Sequence, residues 1–280
     1  MPRYRNSQPR LKRKMRRAIL NTTSRKKQDT MMTVTNVVAP RNTGNTTYTN
    51  APALLTGGAA EEYSILWCAT ARAENNGNSP DDTNVADLPT RTATACYMRG
   101  LRENIEMQCT DGLPWQWRRI CFQTKSRYPT QTGSFLVYGF NILGVGTGVG
   151  RVANEVYGTS KSQLYQYLFT GQVGIDWVDP LIAKTDKSRN TICYDKTITL
   201  ACGNEDGFIR KFKRWHGMNK TLIYDDDESG GSTASNIYAS DQMAGMGDYF
   251  IIDIIRPRDG STSSNRLSIR YNSTLYWHEK

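Results

Sequence analysis

Along most of the chain, apolar and polar positions alternate with the period of two that marks a half-buried β-strand. Ile65, Trp67, Ala69 and Ala71 share one parity, and Ser64, Leu66, Cys68 and Thr70 share the other. Leu101, Ile105, Met107 and Cys109 then alternate with Arg102, Asn104, Glu106 and Gln108. Asp111-Gly112 reads as the turn that closes this strand, and Trp115 to Thr124 as its return partner. Phe135 to Leu143, Thr191 to Leu200 and Phe208 to Tyr224 add further strands. Tyr249 to Arg256 is apolar on both parities apart from Asp253, as expected of a central strand covered on both faces. Its larger Phe250 puts the Phe250, Ile252 and Ile254 parity in the expected core. After the break at Arg256-Pro257-Arg258-Asp259-Gly260, Arg266 to Trp277 alternates again. One stretch, Ser160 to Phe169, has helical spacing, with Leu164, Tyr167 and Leu168 on one face. About eight strands, long polar loops and almost no helix imply an antiparallel sandwich or barrel.

Charge divides the chain differently. Of 36 Lys and Arg, eleven fall in the first 27 residues: Arg3, Arg5, Arg10, Lys12, Arg13, Lys14, Arg16, Arg17, Arg25, Lys26 and Lys27. No acid accompanies them, and the remaining 25 cations face all 26 acids. The chain is thus a neutral body with a strongly basic tail. Residues 1–30 read as a disordered basic arm, 31–60 as a polar Thr/Asn-rich linker and 61–280 as the folded domain. No apolar run approaches the ~18 residues of a membrane-spanning helix. Ala18-Ile19-Leu20 is too short for the apolar part of a secretory signal. The six cysteines form no C-x-x-C pair, which reads as reduced thiols in a protein made inside cells.

Two long blocks carry a specific resemblance. One is Tyr97-Met98-Arg99-Gly100-Leu101-Arg102-Glu103-Asn104-Ile105-Glu106, continuing through Gly112-Leu113-Pro114-Trp115-Gln116-Trp117-Arg118-Arg119-Ile120-Cys121-Phe122. The other runs from Trp215-His216-Gly217-Met218-Asn219-Lys220 through Asp225-Asp226-Asp227-Glu228-Ser229-Gly230-Gly231. Together with the closing pair, Asp248 to Arg256 and Arg266 to Trp277, they resemble the capsid proteins of genomoviruses, which are related to geminivirus coat proteins. The resemblance spans roughly Tyr63 to Trp277. It implies an all-β, eight-stranded antiparallel jelly-roll sandwich behind a disordered basic arm. It also implies a subunit that assembles with identical subunits into an icosahedral-type shell around circular single-stranded DNA, in virions and in the host nucleus. The arm matches less closely, since family arms are often denser in Arg and Tyr than Leu11 to Leu20.

The tail has the chemistry of a polyanion binder, releasing counterions without reading sequence. Lys12-Arg13-Lys14 with Arg16-Arg17, then Arg25-Lys26-Lys27, also has the layout of a bipartite nuclear-import signal, with an import receptor as partner. A rival reading puts Leu11, Met15, Ala18 and Ile19 on one face of a basic amphipathic helix, a presequence or membrane-surface element. In Arg210-Lys211-Phe212-Lys213-Arg214-Trp215-His216, bases interleave with aromatics, and Lys211, Lys213 and Trp215 share a face. That pattern suits stacking on single-stranded bases, or equally a subunit contact. Trp115, Trp117, Arg118 and Arg119 allow the same pair of readings, with core packing the simpler one.

Other motifs promise less. Asp225-Asp226-Asp227-Glu228 lacks EF-hand spacing and reads as a solvated loop. Gly144 to Gly150 misses every dinucleotide and P-loop register, so it reads as a flexible loop. His216 and His278 are the only histidines, and no cysteine carries a nucleophile signature. The expectation is therefore a non-enzyme without cofactor, metal or small-molecule substrate. Its rival is a cellular β-barrel nucleic-acid-binding protein with a basic tail.

Overall fold

The computed structural model describes residues 15, 19, 22–58, 61–74, 88–131, 139–140, 148–201 and 203–280. Eight long strands dominate: β1 (Arg25–Met31), β4 (Tyr63–Cys68), β5 (Ala95–Cys109), β6 (Trp115–Thr124), β9 (Thr191–Leu200), β10 (Phe208–Ile223), β13 (Asp248–Pro257) and β14 (Arg266–Glu279). Their antiparallel pairing is nested. The first pairs with the last, β4 with β13, β5 with β10 and β6 with β9. Such nesting is one long hairpin. Two further ladders, β14 with β5 and β13 with β6, roll it up into two sheets. The sheets run β1-β14-β5-β10 and β4-β13-β6-β9. This is the jelly roll, a double-sheet sandwich of Greek keys.

Shorter pieces extend this frame. β3 (Ala53–Thr56) pairs with β14, and β8 (Val149–Glu155) lies beside β4. β2 (Thr33–Thr35) adds to β8 in parallel, and β7 (Gly139–Phe140) pairs with β8. The remaining elements are a short helix α1 (Tyr128–Gln131), a longer one α2 (Gly158–Leu168), and a hairpin of β11 (Asp227–Ser229) and β12 (Ser232–Ala234). Among the described residues no helix is long and apolar enough to cross a membrane.

Two apolar clusters fill the space between the sheets. Trp67, Met98, Leu101, Ile251, Leu275 and Trp277 belong to one; Ile65, Ile105, Trp117, Ile255, Leu267 and Ile269 belong to the other. A third lies outside the sandwich, where Leu164, Tyr165 and Leu168 of α2, with Phe169 and Leu181, cover Leu66, Ile120, Phe122, Phe250, Ile252 and Ile254. β13 is therefore covered on both faces, as its composition requires. The parity is the reverse of that expected: Ile251, Asp253 and Ile255 face the sandwich, while Phe250, Ile252 and Ile254 lie beneath α2. Phe250 stacks on Phe122 there, with ring centroids 5.4 Å apart.

Three more expectations change. β5 and β6 are not a hairpin, because the turn at Asp111-Gly112 carries the chain from one sheet to the other. The 31–60 stretch is no linker over its described part. Val34, Val37 and Leu55 are buried in it, and Asn36 donates to Asn154 Oδ1 at 2.9 Å. Polar Thr and Asn side chains satisfy one another there, which hides a packed segment from an apolar-periodicity reading. Finally, the arm read as residues 1–30 is structured from Arg25 onward, as β1. Of Phe135 to Leu143 and Gly144 to Gly150, only 139–140 and 148–150 lie within the described residues.

Candidate nucleic-acid interface

The outward face of the first sheet gathers the predicted body residues. β10 is the edge strand of that sheet. Alternation along it sends Phe212 inward, edge-on to Trp117 at 5.0 Å, and leaves Lys211, Lys213 and Trp215 exposed. Lys211 and Lys213 therefore share a face with Trp215, as read from the sequence. Register places Lys211 beside Glu106, Lys213 beside Asn104 and Trp215 beside Arg102 on β5. The next strand, β14, adds Arg270, Asn272 and Thr274 to the same three rows.

Trp215 is 56% exposed, yet it is seated. Its ring lies over Gly100, where a Cβ would approach Trp215 Cζ2 to 2.8 Å and the His216 carbonyl oxygen to 2.4 Å. Gly100 also has φ of 153°, so side chains are excluded there twice over. Tyr276 flanks the indole with ring centroids 5.8 Å apart. The single acid among these rows, Glu106, lies 3.3 Å from Lys211 Nζ and 3.2 Å from Arg270 Nη1. Hydrogen bonds from Gln108 and Lys211 hold its carboxyl below the usual range.

The basic tail meets this sheet at its other side. Lys26 pairs with His278 in the β1–β14 ladder, and Arg25 and Lys26 are exposed. Lys27 is not, which corrects its assignment to DNA binding and nuclear import. It is 3% exposed, donates to the Thr90 carbonyl at 2.7 Å and sits 3.2 Å from Glu279 Oε2. Those contacts use its ammonium internally, at a position whose parity points into the fold. Arg3, Arg5, Arg10, Lys12, Arg13, Lys14, Arg16 and Arg17 lie outside the described residues.

The structure also holds a charged cluster that the alternation pattern did not reveal. Glu103 occupies the inward parity between Leu101 and Ile105 and is fully buried. Arg119 Nη1 donates to it at 2.6 Å, and Ser273 Oγ at 3.3 Å; His216 Nε2 lies 3.1 Å away. The same Arg119 forms a fork on Asp253, with Nε and Nη2 each 2.7 Å from a carboxylate oxygen. Trp117 Nε1 donates to Asp253 at 2.7 Å. Arg151 completes the set between the rings of Trp67 and Tyr271, 4.3 and 4.1 Å from their centroids. Two guanidiniums thus balance two carboxylates between the sheets. Burial alone would raise the Glu103 carboxyl, but the charges of Arg119 and Arg151 and the contact with His216 override it and hold it well below the usual range.

Other candidates resolve into structure. Trp115, Trp117, Arg118 and Arg119 are all buried, so the core reading holds for them. The acidic stretch is not uniformly solvated: Arg91 clamps Asp226 through two bonds of 2.6 and 3.0 Å, and Arg127 pairs with Asp225. Asp227 and Glu228 remain exposed on β11. Cys68, Cys96, Cys109 and Cys121 are free and buried, and burial pushes each thiol up, away from the thiolate a nucleophile needs. Among the described residues no three His, Cys, Asp or Glu side chains group as metal ligands.

Comparison with protein-family models and with curated proteins finds no match. Among solved structures, the chain is similar to the VP1 pentamer of Human Polyomavirus 6, at 9% identity and a TM-score of 0.15. That alignment covers 91% of this chain and 93% of the other. A likeness so slight carries no argument, and the jelly roll rests on the nested strand pairing described above.

Proposed function

We propose that this chain is a capsid subunit, of the genomovirus-like kind its two sequence blocks resemble, which assembles with identical copies and packages single-stranded DNA. The observation that carries the reading is the joining of two opposites in one chain. A jelly roll with almost no net charge carries an acid-free basic segment that is anchored to one of its sheets through β1. Self-assembly asks for low net charge on the body, since like charges brought together repel. Packaging asks for a dense, sequence-blind cation source. Dividing the two tasks between body and arm meets both demands. The arm also serves nuclear import in this reading, through Lys12-Arg13-Lys14 and Arg16-Arg17 with Arg25-Lys26. No catalytic role enters.

One series of arm variants tests it. With Lys27 engaged by Glu279, the other ten tail cations are the ones this reading assigns to phosphate. Each contributes about −0.7 to the slope of log affinity against log salt for a single strand. Replacing the eight cations from Arg3 to Arg17 by Gln should flatten that slope by up to about 5 to 6. It should also strip encapsidated DNA of nuclease protection. Residues 1–30 fused to a fluorescent reporter should enter the nucleus, and alanines at Lys12-Arg13-Lys14 should release it. An unchanged salt slope, or accumulation of the reporter in mitochondria, contradicts the assignment of the arm.

A further inference from the structure

The arm's chemistry does not select for single-strandedness, because it neutralises phosphates on either form, with a salt slope of about −0.7 per contact on a single strand and about −0.9 on a duplex. An exposed indole does select for it. Base stacking on an aromatic side chain requires a free base face, which a duplex hides within its own stack. Trp215 meets the requirements for such a platform. It stands out from the edge strand of the first sheet, 56% exposed, with its ring seated over Gly100 and flanked by Tyr276. Seating the ring in advance spares the ordering cost that a freely rotating side chain would incur on binding. On the inward parity of the same strand, Phe212 packs edge-on to Trp117 and His216 against Tyr249, so these core contacts do not involve the indole of Trp215.

The surroundings favour a polyanion over another protein surface. Arg102 is the cross-strand neighbour of Trp215, and Lys213 lies two residues along on the same face. The acid of these rows, Glu106, is already held by Lys211 and Arg270. Rows on one face of a strand repeat every ~7 Å, so cations flank the aromatic pair within the reach of a single extended strand. The tail joins the same sheet through β1, whose Gln28 is the register partner of Tyr276. Arm and platform are therefore continuous across one sheet.

We infer that the outward face of the first sheet is a stacking site for unpaired bases, centred on Trp215 and Tyr276, and that it gives the protein its preference for single-stranded over double-stranded nucleic acid. This deepens the packaging reading and rests on it for the ligand class, while assigning strand selection to the body rather than to the arm.

The test uses the full chain, with fluorescence anisotropy on an oligo(dT) strand and on a duplex of equal length, at two salt concentrations. Trp215→Ala should lower single-strand affinity by roughly 5- to 150-fold, the range for losing one stacked base. It should leave duplex affinity and the salt slope unchanged, and Trp215→Phe should retain most of the preference. The Gln-substituted arm should do the opposite, weakening both ligands and flattening both salt slopes, the duplex at least as much as the single strand, so a failed arm reading and a failed platform reading look different. Ultraviolet crosslinking of the unaltered protein to oligo(dT) supplies a check that needs no variant: the crosslinked peptides should contain Trp215 or Tyr276. The proposal is overturned if Trp215→Ala leaves the single-to-double ratio unchanged, including the case where it blocks assembly and so marks the face as a subunit contact. Crosslinks confined to other peptides overturn it as well.

Discussion

Glu103→Gln isolates the charged cluster between the sheets without changing its shape. The carboxylate accepts from Arg119 at 2.6 Å and faces Arg151 at 3.7 Å, while Asp253 holds the other arm of Arg119. Neutralising Glu103 leaves two guanidiniums for one carboxylate, an uncompensated positive charge at a site sealed from water. Removing one partner of a buried pair costs about 3–5 kcal/mol. Set against a total stability of about 5–15 kcal/mol, that is about a fifth or more of what holds the domain together. Adding Arg119→Met to Glu103→Gln restores neutrality, because Arg151 and Asp253 remain. The pair should therefore cost about 2–3 kcal/mol less than the sum of the two single variants. Denaturant unfolding followed by far-ultraviolet circular dichroism measures this, at protein concentrations low enough to keep assembly out of the balance. The acid limb adds an independent signature. The folded-state pKa of Glu103 lies below its unfolded value of 4.5, so its contribution is complete above that pH and is lost as pH falls through the depressed value. Glu103→Gln should lack that part of the acid loss. A single variant within 1 kcal/mol of the parent, or a double variant costing the full sum, refutes the reasoning.

Three further substitutions test the packing and a second buried carboxyl. Burial pushes Asp248 up to about 6 from 3.8, against hydrogen bonds from the Ala239 N–H and Thr70 that pull it down. The fold thus favours its protonated form, and that stabilisation is present below 3.8 and lost as pH rises through about 6. At 1.36 kcal/mol per pKa unit the change is about 3 kcal/mol. Asp248→Asn should remove this fall between pH 4 and 6 in pH-resolved melts, and an unaltered profile counts against it. Ile252→Asp places an unpaired charge beneath α2 and should abolish the folded state, whereas Ile209→Asp, at a position 67% exposed, should stay within about 0.5 kcal/mol of the parent. Equal melting of the two variants would contradict the burial of Ile252 beneath α2 and the outward placement of Ile209 on β10.

Strand positions were legible because each face of these strands meets a different environment. Thr191 to Leu200 coincides with β9 for that reason, whereas Trp115 to Thr124, buried on both faces, coincides with β6 because the turn at Asp111-Gly112 marks its start. The parity of β13 was not legible, since both of its faces are buried and the larger Phe250 marks the side under α2 rather than the sandwich. Lys27 shows a related limit: charge composition ranks it with its neighbours, but β1 turns it inward toward Glu279. The ionic cluster had a usable signal. Asp253 interrupts an otherwise apolar strand, and Arg118-Arg119 interrupts another, so each buried charge demanded a partner. What alternation alone could not supply was Glu103, a carboxylate on the apolar parity of β5, because the pairing that brings it to Arg119 crosses between the sheets. The exposed face was legible in part. Lys211, Lys213 and Trp215 share a parity in the sequence, whereas Gly100 and Tyr276 join them only through cross-strand register.

The central claim is that this jelly roll is a shell subunit that encloses single-stranded DNA. Negative-stain electron microscopy of the purified full chain, incubated with circular single-stranded DNA and then treated with nuclease, tests it most directly. The account predicts closed particles of uniform size that retain intact DNA. A field of dispersed subunits or irregular aggregates, with the DNA digested, would contradict it.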